Sequence, residues 1–341
     1  MANPIWKDYF VSLGNVSNVP YRIKLHDGGT LIYSGNAYRR PGDTSIRARI
    51  NDICADFFTS ALPAMSQTDF SVLGFPISFD IETWDEVNEV WENVETVAFD
   101  NDWSYDYGHD PERDGVSAPV NGRLDSRMPL LYSVYDATEV EADVIFQDGT
   151  SFHLTIPIAT TADFDDSFDD SFARETRGAA TGTAVLLPSE WDGCVRIDIG
   201  GHSFDVVTEC AKYALYYINA YGGWDELLIE GNHKESDSMT RHEREVEYDN
   251  ADIRARGRDN WLNEIDKTWQ LYTSYLTDEQ SRRMSHLFGS TCVYLYDIEQ
   301  GAFIPVTVTD KAHEYKTFKN QGRQLVSYVL NVRLAQNRIR R

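Results

Sequence analysis

The feature that most constrains this chain is a recurring pattern of strand, tight turn and strand. "YRIKLHDGGTLIYSG" (Tyr21–Gly35) alternates and then breaks at Asp27-Gly28-Gly29. "ADVIFQDGTSFHLTI" (Ala142–Ile156) does the same around Asp148-Gly149, and "VRIDIGGHSFDVV" (Val195–Val207) around Gly200-Gly201. Glycine after aspartate, or a glycine pair, supplies the positive φ that a short hairpin turn needs. A fourth hairpin, "TCVYLYDIEQGAFIPVTVT" (Thr291–Thr309), has a longer turn at Glu299–Gly301. Near the C-terminus Val326, Tyr328, Leu330, Val332 and Leu334 share one face of a strand, and Ser327, Asn331 and Arg333 lie on the other. The units keep no fixed period. They predict a mainly β chain of antiparallel β-sandwich or barrel domains.

Helices are expected to be few and short. In "LTDEQSRRMSHLF" (Leu276–Phe288) Thr277 is the N-cap and Gln280, three residues on, completes a capping box. Met284, Leu287 and Phe288 form its buried face. "NDICADFFTSAL" (Asn51–Leu62), with Asn51 as N-cap, is a shorter candidate. Two stretches rich in aspartate and without a usable period, Ala98–Arg123 and Thr161–Gly182, read as long surface loops. A chain of 341 residues is too long for one ordinary small domain. The main boundary is placed near residue 205. Residues 1–205 form N-terminal β structure with a loop-rich insertion around 73–193. Residues 206–341 form a C-terminal β domain with the capped helix (276–288) and a charged arm (233–260).

Composition narrows the function classes. Hydrophobic residues at 42% and charged residues at 25% fit a folded globular chain and argue against global disorder. The formal charge of -24 makes the chain a poor binder of phosphate backbones, which are gripped by Lys and Arg. Cys54, Cys194, Cys210 and Cys292 contain no C-x-x-C pair and read as buried small apolar residues in a reducing compartment. "MANPIWKDYFVSLGNVSNVP" has no basic region followed by an apolar core, so no export route is expected, and no apolar run is long enough to span a bilayer.

Catalytic and metal motifs fail on inspection, so no catalytic residue, cofactor or metal is expected. Asp163, Asp165, Ser167 and Asp169 match the first ligand positions of an EF-hand loop, but Phe168 stands where the turn glycine belongs and Arg174 where the bidentate Glu belongs. Phe164, Phe168 and Phe172 recur every four residues and give that stretch an apolar face instead. His242-Glu243 and His313-Glu314 lack the second His of a zinc-protease helix, since Val246 and Thr317 occupy those positions. "GHSFD" (Gly201–Asp205) opens like a nucleophile elbow but ends in Asp205 and sits on a hairpin. A paired-carboxylate glycosidase stays open, because its acids need no fixed spacing. Trp103, Tyr105, Tyr107 and His109 beside acids could stack on a glycan or form a subunit contact.

Two segments fit no catalytic role. "HKESDSMTRHEREVEYDNADIRARGRDN" (His233–Asn260) is a protruding polar arm, and Arg241, Glu243, Arg244, Glu245, Arg254 and Arg256 are its candidate subunit contacts. Arg340 and Arg341, in a basic ending, are candidates for an acidic neighbour. "YYINAYGGWDELLIEGN" (Tyr216–Asn232) reads as an architectural corner. Gly222, Gly223, Trp224 and Asp225 make the corner: Gly222-Gly223 permits the turn, Trp224 plugs a core with its indole N–H on a nearby acceptor, and Leu227, Leu228 and Ile229 lead away as the next strand.

Four segments together resemble tail-region virion proteins of tailed bacteriophages that infect Bacteroidetes, including the crAss-like group. They are "IWKDYF" with "PYRIKL…LIYSGNAYRRPG…ARINDICADFF" (Ile5–Phe58), "CAKYALYYINAYGGWDELLIEGN" (Cys210–Asn232), "WQLYTSYLTDEQSRRMSHLFGSTCVYLYD" (Trp269–Asp297) and "FIPVTVTDKAHEYKTFKNQGRQLVSYVLNVRLA" (Phe303–Ala335). The resemblance rests on their order along somewhat over half the chain. It implies a non-enzymatic structural protein, a tail ring or head–tail connector subunit in a cyclic homo-oligomer. Its partners would be other tail or connector proteins, with DNA passing through the lumen without specific binding, no membrane contact, and assembly in the bacterial host cytoplasm. A receptor- or glycan-binding module of a tail fibre is the alternative, and a glycan-degrading enzyme a further one.

Overall fold

The computed structural model describes residues 3–4, 10–13, 21–27, 30–37, 46–49, 62–63, 65, 68–72, 77–85, 88–100, 115–157, 180–208, 211–246, 257–310, 326–336 and 338–340. The first strands are β1 (Asn3–Pro4), β2 (Phe10–Leu13), β3 (Tyr21–Asp27), β4 (Thr30–Ala37), β5 (Ile46–Arg49), β6 (Asp69–Val72), β7 (Ile77–Asp85) and β8 (Val90–Asp100). The middle of the chain gives β9 (Arg123–Asp125), β10 (Leu130–Ala137), β11 (Glu139–Phe146), β12 (Ser151–Pro157), β13 (Ala180–Leu186), β14 (Cys194–Ile199) and β15 (His202–Val207). The last third gives β16 (Tyr213–Ile218), β17 (Trp224–Ile229), β18 (His233–Glu245) and β19 (Arg258–Tyr272), then helix α1 (Asp278–Phe288). It ends with β20 (Val293–Asp297), β21 (Ala302–Val308), β22 (Val329–Leu334) and β23 (Arg338–Arg340).

The chain is mainly β, and its sheets are largely antiparallel. Their orders are β1-β8-β7-β3-β4, β2-β5, β10-β13-β6, β12-β11-β14-β15-β9 and β17-β16-β20-β21-β22-β19-β18, with β23 beside β19. The exceptions to antiparallel pairing are β1 with β8 and β15 with β9. Among the described residues the arrangement is sandwich-like, and no sheet closes into a barrel.

The expected hairpins pair as their turns dictate. β14 and β15 close at Ile199 opposite His202, with Gly200 at φ 53° and Gly201 at φ 81°. Both central residues are thus left-handed, as a twisted two-residue turn demands. β11 and β12 pair across Gly149 at φ 83°, where the Asp148 carboxylate accepts from the Thr150 N–H at 2.9 Å. β3 and β4 pair up to Asp27 opposite Thr30, and Gly28 and Gly29 fall outside the described residues. In α1 the Thr277 hydroxyl accepts from the Gln280 N–H, and the Gln280 side chain accepts from the Thr277 N–H at 2.8 Å. Met284 and Leu287 are buried, and Phe288 is partly buried.

Apolar packing forms two clusters on opposite faces of β16, β17 and β20. Ala214, Tyr216, Ile218, Trp224 and Leu228 face one cluster, together with Leu124, Leu131, Val140, Ile197 and Phe204 of the middle sheets. Tyr213, Leu215, Tyr217, Leu227 and Ile229 face the other, with Met284 and Leu287 of α1 and Leu330 and Val332 of β22. All twelve residues of β16 and β17 are buried, six in each strand. Burial on both faces explains why "YALYYI" and "LLI" read as continuous apolar runs. The boundary expected near 205 falls inside β15, and the first cluster runs across it.

Several expectations change. The stretch 98–123 begins inside β8 and ends in a segment whose residues Val116 to Val120 are buried, so this end of it is core and not surface loop. Residues 101–114 and 158–179 lie outside the described residues, as does 51–61, where a second helix was expected. Cys194 and Cys292 are half-buried and not fully buried, and burial pushes the Cys194 thiol up. Cys54 and Cys210 fall outside the described residues. Among the described residues no helix is long and apolar enough to cross a membrane.

Candidate functional site

The Gly-Gly-Trp-Asp corner is the turn of the β16/β17 hairpin, closing at Ile218 opposite Trp224. Its organiser is Asn219. The Asn219 side-chain oxygen accepts from the N–H of Tyr221 at 2.8 Å and of Gly223 at 3.0 Å, so a short polar side chain substitutes for backbone pairing. Its amide nitrogen donates to the Val116 carbonyl at 2.7 Å and to Asp225 Oδ2 at 2.8 Å. Gly222 sits at φ 86°. Gly223 is required by proximity, since a Cβ there would meet the Val116 carbonyl oxygen at 2.4 Å.

The buried segment 116–120 is clamped into this corner. Asp225 accepts from the Ala118 N–H at 3.0 and 3.3 Å with its two oxygens. Arg283 of α1 donates to the Pro119 carbonyl at 2.8 Å. The Trp224 N–H donates to the Ser133 hydroxyl at 2.8 Å, and Ser133 also bonds Ser117 and Thr183. Helix, hairpin, segment and β10 therefore meet in one polar knot between the two apolar clusters. The Trp224 ring is fully buried, but its indole nitrogen finds no acceptor among the described residues, contrary to expectation. Its contribution is shape and apolar area.

Two acids lie in the knot. Burial pushes Asp225 up to about 7, against the opposing pull of Asn219, Ala118 and Arg283. Burial also pushes Glu226 well above the usual carboxylate range, and the neighbouring Asp225 pushes it further. Raised carboxyls are a mark of glycoside hydrolases. Here the two residues are consecutive on a strand, so they point to opposite faces. They are 2% and 3% exposed, so no substrate reaches either in this conformation.

The charged arm has the opposite character. β18 and β19 form a hairpin running from His233 opposite Leu271 to Glu245 opposite Arg258. At its base Glu235 accepts from the Tyr213 hydroxyl, and from Lys212 at 2.9 Å; the Tyr213 bond first, then Lys212, hold its carboxyl down at about 2. β22 pairs with β19 only at Thr268–Tyr272, and β23 only at Asn263–Ile265. No residue of β18 is buried, and β18 is the end strand of its sheet. Met239 is 58% and Trp261 54% exposed. Trp261 is the extra residue of a bulge between His242 opposite Leu262 and Glu243 opposite Asn260.

Of the expected contact residues, Arg241, Glu243, Arg244 and Glu245 are exposed on β18. Arg244 pairs with Asp259 at 3.6 Å and Glu245 with Arg258 at 4.0 Å, surface pairs of small energetic weight. Arg340 sits opposite Asn263 in β23, and Arg254, Arg256 and Arg341 fall outside the described residues. The would-be EF-hand acids, His313-Glu314 and the aromatics at 103–109 also fall outside them. His242-Glu243 lies on β18 and Gly201–Asp205 on the β14/β15 hairpin, neither on a helix. Among the described residues no three His, Cys, Asp or Glu side chains are grouped to hold a metal ion.

Asn219, Ser133 and the 116–120 segment are the corner residues that sequence reasoning missed. The signal for Asn219 was present, since an asparagine opens the "NAYGG" turn. No family model matches the chain, no curated protein matches it, and no solved structure matches its fold.

Proposed function

We propose that the chain is a non-enzymatic structural subunit of a bacteriophage virion, a tail ring or head–tail connector protein that closes into a cyclic homo-oligomer. The observation that carries this reading is the β18/β19 arm. A two-stranded ribbon alone is marginal in water. Here thirteen residues of β18 are paired along β19 with one bulge, and among the described residues none of them is buried and no strand pairs their outer edge. Such an edge is made to be covered, and head-to-tail covering by the next copy generates a ring. The resemblance segments Cys210–Asn232 and Trp269–Asp297 include the corner hairpin, α1 and β20. A net charge of -24 suits a lumen through which DNA slides without adhering.

Native mass measurement and negative-stain imaging of the full chain test this. A closed ring of one symmetry is expected, lost when the arm is shortened to its base. An elongated trimer overturns the reading. So does a chain that stays monomeric at high concentration and is missing from purified virions.

A further inference from the structure

Beside the arm's base, on the sheet face turned away from the second apolar cluster, lies a groove of about 350 Å³. That is at the lower end of the roughly 300–1,000 Å³ of small-molecule sites. Its polar lining is Lys234, Ser236, Thr268, Gln270, Thr309 and Asn331. Trp269 and Val332 also border it, but their side chains are buried in the cluster beneath.

Sheet register arranges these side chains in ranks. Lys234 lies opposite Gln270, and Gln270 opposite Asn331, across β18, β19 and β22. Two strand spacings place the ends of this rank about 10 Å apart. In the next rank Ser236 lies opposite Thr268. On the other side Tyr272 lies opposite Val329, and both are exposed.

The amides are fixed in orientation. The Tyr272 hydroxyl donates to Gln270 Oε1 at 3.0 Å, Gln270 Nε2 to Asn331 Oδ1 at 3.3 Å, and Asn331 Nδ2 to Asp310 Oδ1 at 2.7 Å. Asp310 Oδ2 accepts the Asn331 N–H at 2.7 Å, so both carboxylate oxygens are turned to one residue. At the opposite end of the rank Lys234 forms no ion pair among the described residues.

We propose that this groove binds a saccharide carrying a carboxylate, with the acid at the Lys234 end and the ring against Tyr272. Preset amides and hydroxyls offer both donors and acceptors at close spacing, which suits vicinal hydroxyl groups. Tyr272, two residues along β19 from Gln270 and hydrogen-bonded to it, offers an exposed aromatic face to the C–H side of a sugar reaching out of the groove. The lone ammonium supplies the charge preference, and Asp310 repels an acid from the other end. A solvated sheet face needs neither a depression nor an amide relay running from β19 through β22 to Asp310. The proposal is independent of the ring reading, because the groove belongs to one chain.

The test is saturation-transfer NMR and calorimetry on the full chain with three probes. These are oligosaccharides containing glucuronate, oligosaccharides containing N-acetylneuraminate, and neutral glucose oligosaccharides. At least one acidic probe is expected to bind, with the neutral set weaker. Lys234→Ala should weaken the acidic probe tenfold or more and bring it level with the neutral set. Gln270→Ala should weaken both. Circular dichroism of each variant separates a lost site from a lost fold. No binding by any probe at millimolar concentration overturns the proposal, as does binding that neither variant alters. Equal binding of neutral and acidic probes overturns the assigned charge preference. These outcomes are read on the monomer and the oligomer alike, so failure here leaves the ring reading standing, and failure of the ring leaves the groove.

Discussion

Two hairpins of one sheet carry opposite burial. Every residue of β16 and β17 is buried, and no residue of β18 is. Both hairpins are antiparallel and paired along their length, the second with a single bulge at Trp261, so hydrogen bonding between strands does little to distinguish them. The difference lies in what flanks them. The β16/β17 hairpin has an apolar cluster on each face and the buried 116–120 segment at its turn. Among the described residues neither apolar cluster reaches the β18/β19 hairpin beyond its base. The first therefore carries stability, and the second carries surface that intramolecular packing does not use.

The largest effect should come from the corner. Trp224 is fully buried, and truncating a buried tryptophan to alanine costs about 3–5 kcal/mol. Trp224→Ala is expected to lose that much in urea unfolding. Loss below about 1 kcal/mol would mean the corner is not the rigid member of the pair. Gly223→Ala tests the same point by overcrowding, because its methyl must displace the Val116 carbonyl.

The corner was legible in part. Glycine pairs, or a glycine after aspartate, marked three hairpin turns, and the capping box marked α1 to within two residues, because both signals are local. Alternation in Val326–Leu334 gave β22 its buried face, because one side of that strand meets solvent. What stayed hidden depends on residues far apart in the chain. The Asn219 amide bonds Val116, and Asp225 bonds Ala118, over more than a hundred residues. Nothing local in "VSAPV" tells that it is core, since its neighbours are aspartate-rich. The arm was legible as exposed, from its mixed charge, but not as strand. Its β structure comes from pairing along β19, and charged residues have weak β preference of their own.

A second effect is pH-dependent. Asp225 rises from the usual 3.8 to about 7 on folding, so between roughly pH 4 and 7 the folded chain keeps a proton the unfolded chain has released. The associated stability is full below about pH 4 and is lost as pH rises through 7, at up to about 1.4 kcal/mol per pH unit. Glu226, also raised, adds to the slope. In Asp225→Asn the fall in unfolding free energy between pH 4 and 7 should be shallower than in the parent by close to one proton. An unchanged slope would show that Asp225 is ionised in the folded chain, and that the polar knot is wetter than its burial indicates.

A third, smaller effect concerns the helix that braces the corner. Thr277→Ala removes the hydroxyl that caps the Gln280 N–H, and losses of this kind are about 1 kcal/mol. The midpoint of thermal unfolding should fall by a few degrees without a change in oligomer size. A change in oligomer size at unchanged midpoint would move α1 from the stabilising region to the associating one.

The smallest effect on the isolated chain should come from the arm, and it breaks the comparison most directly. Met239→Ser and Trp261→Ser replace side chains that are more than half exposed, and exposed substitutions usually stay within about 0.5 kcal/mol. Chemical unfolding of the double variant should overlay the parent curve. Its association should not: the apolar surface on the arm is what a neighbour would cover, so sedimentation should show the assembled fraction shifted toward monomer. If instead the double variant unfolds early, the arm packs against its own chain, and the two hairpins differ in degree and not in kind. If both stability and association are unchanged, contact between copies runs through another edge. The open strands β4 and β12 then become the next places to substitute, since each ends its sheet.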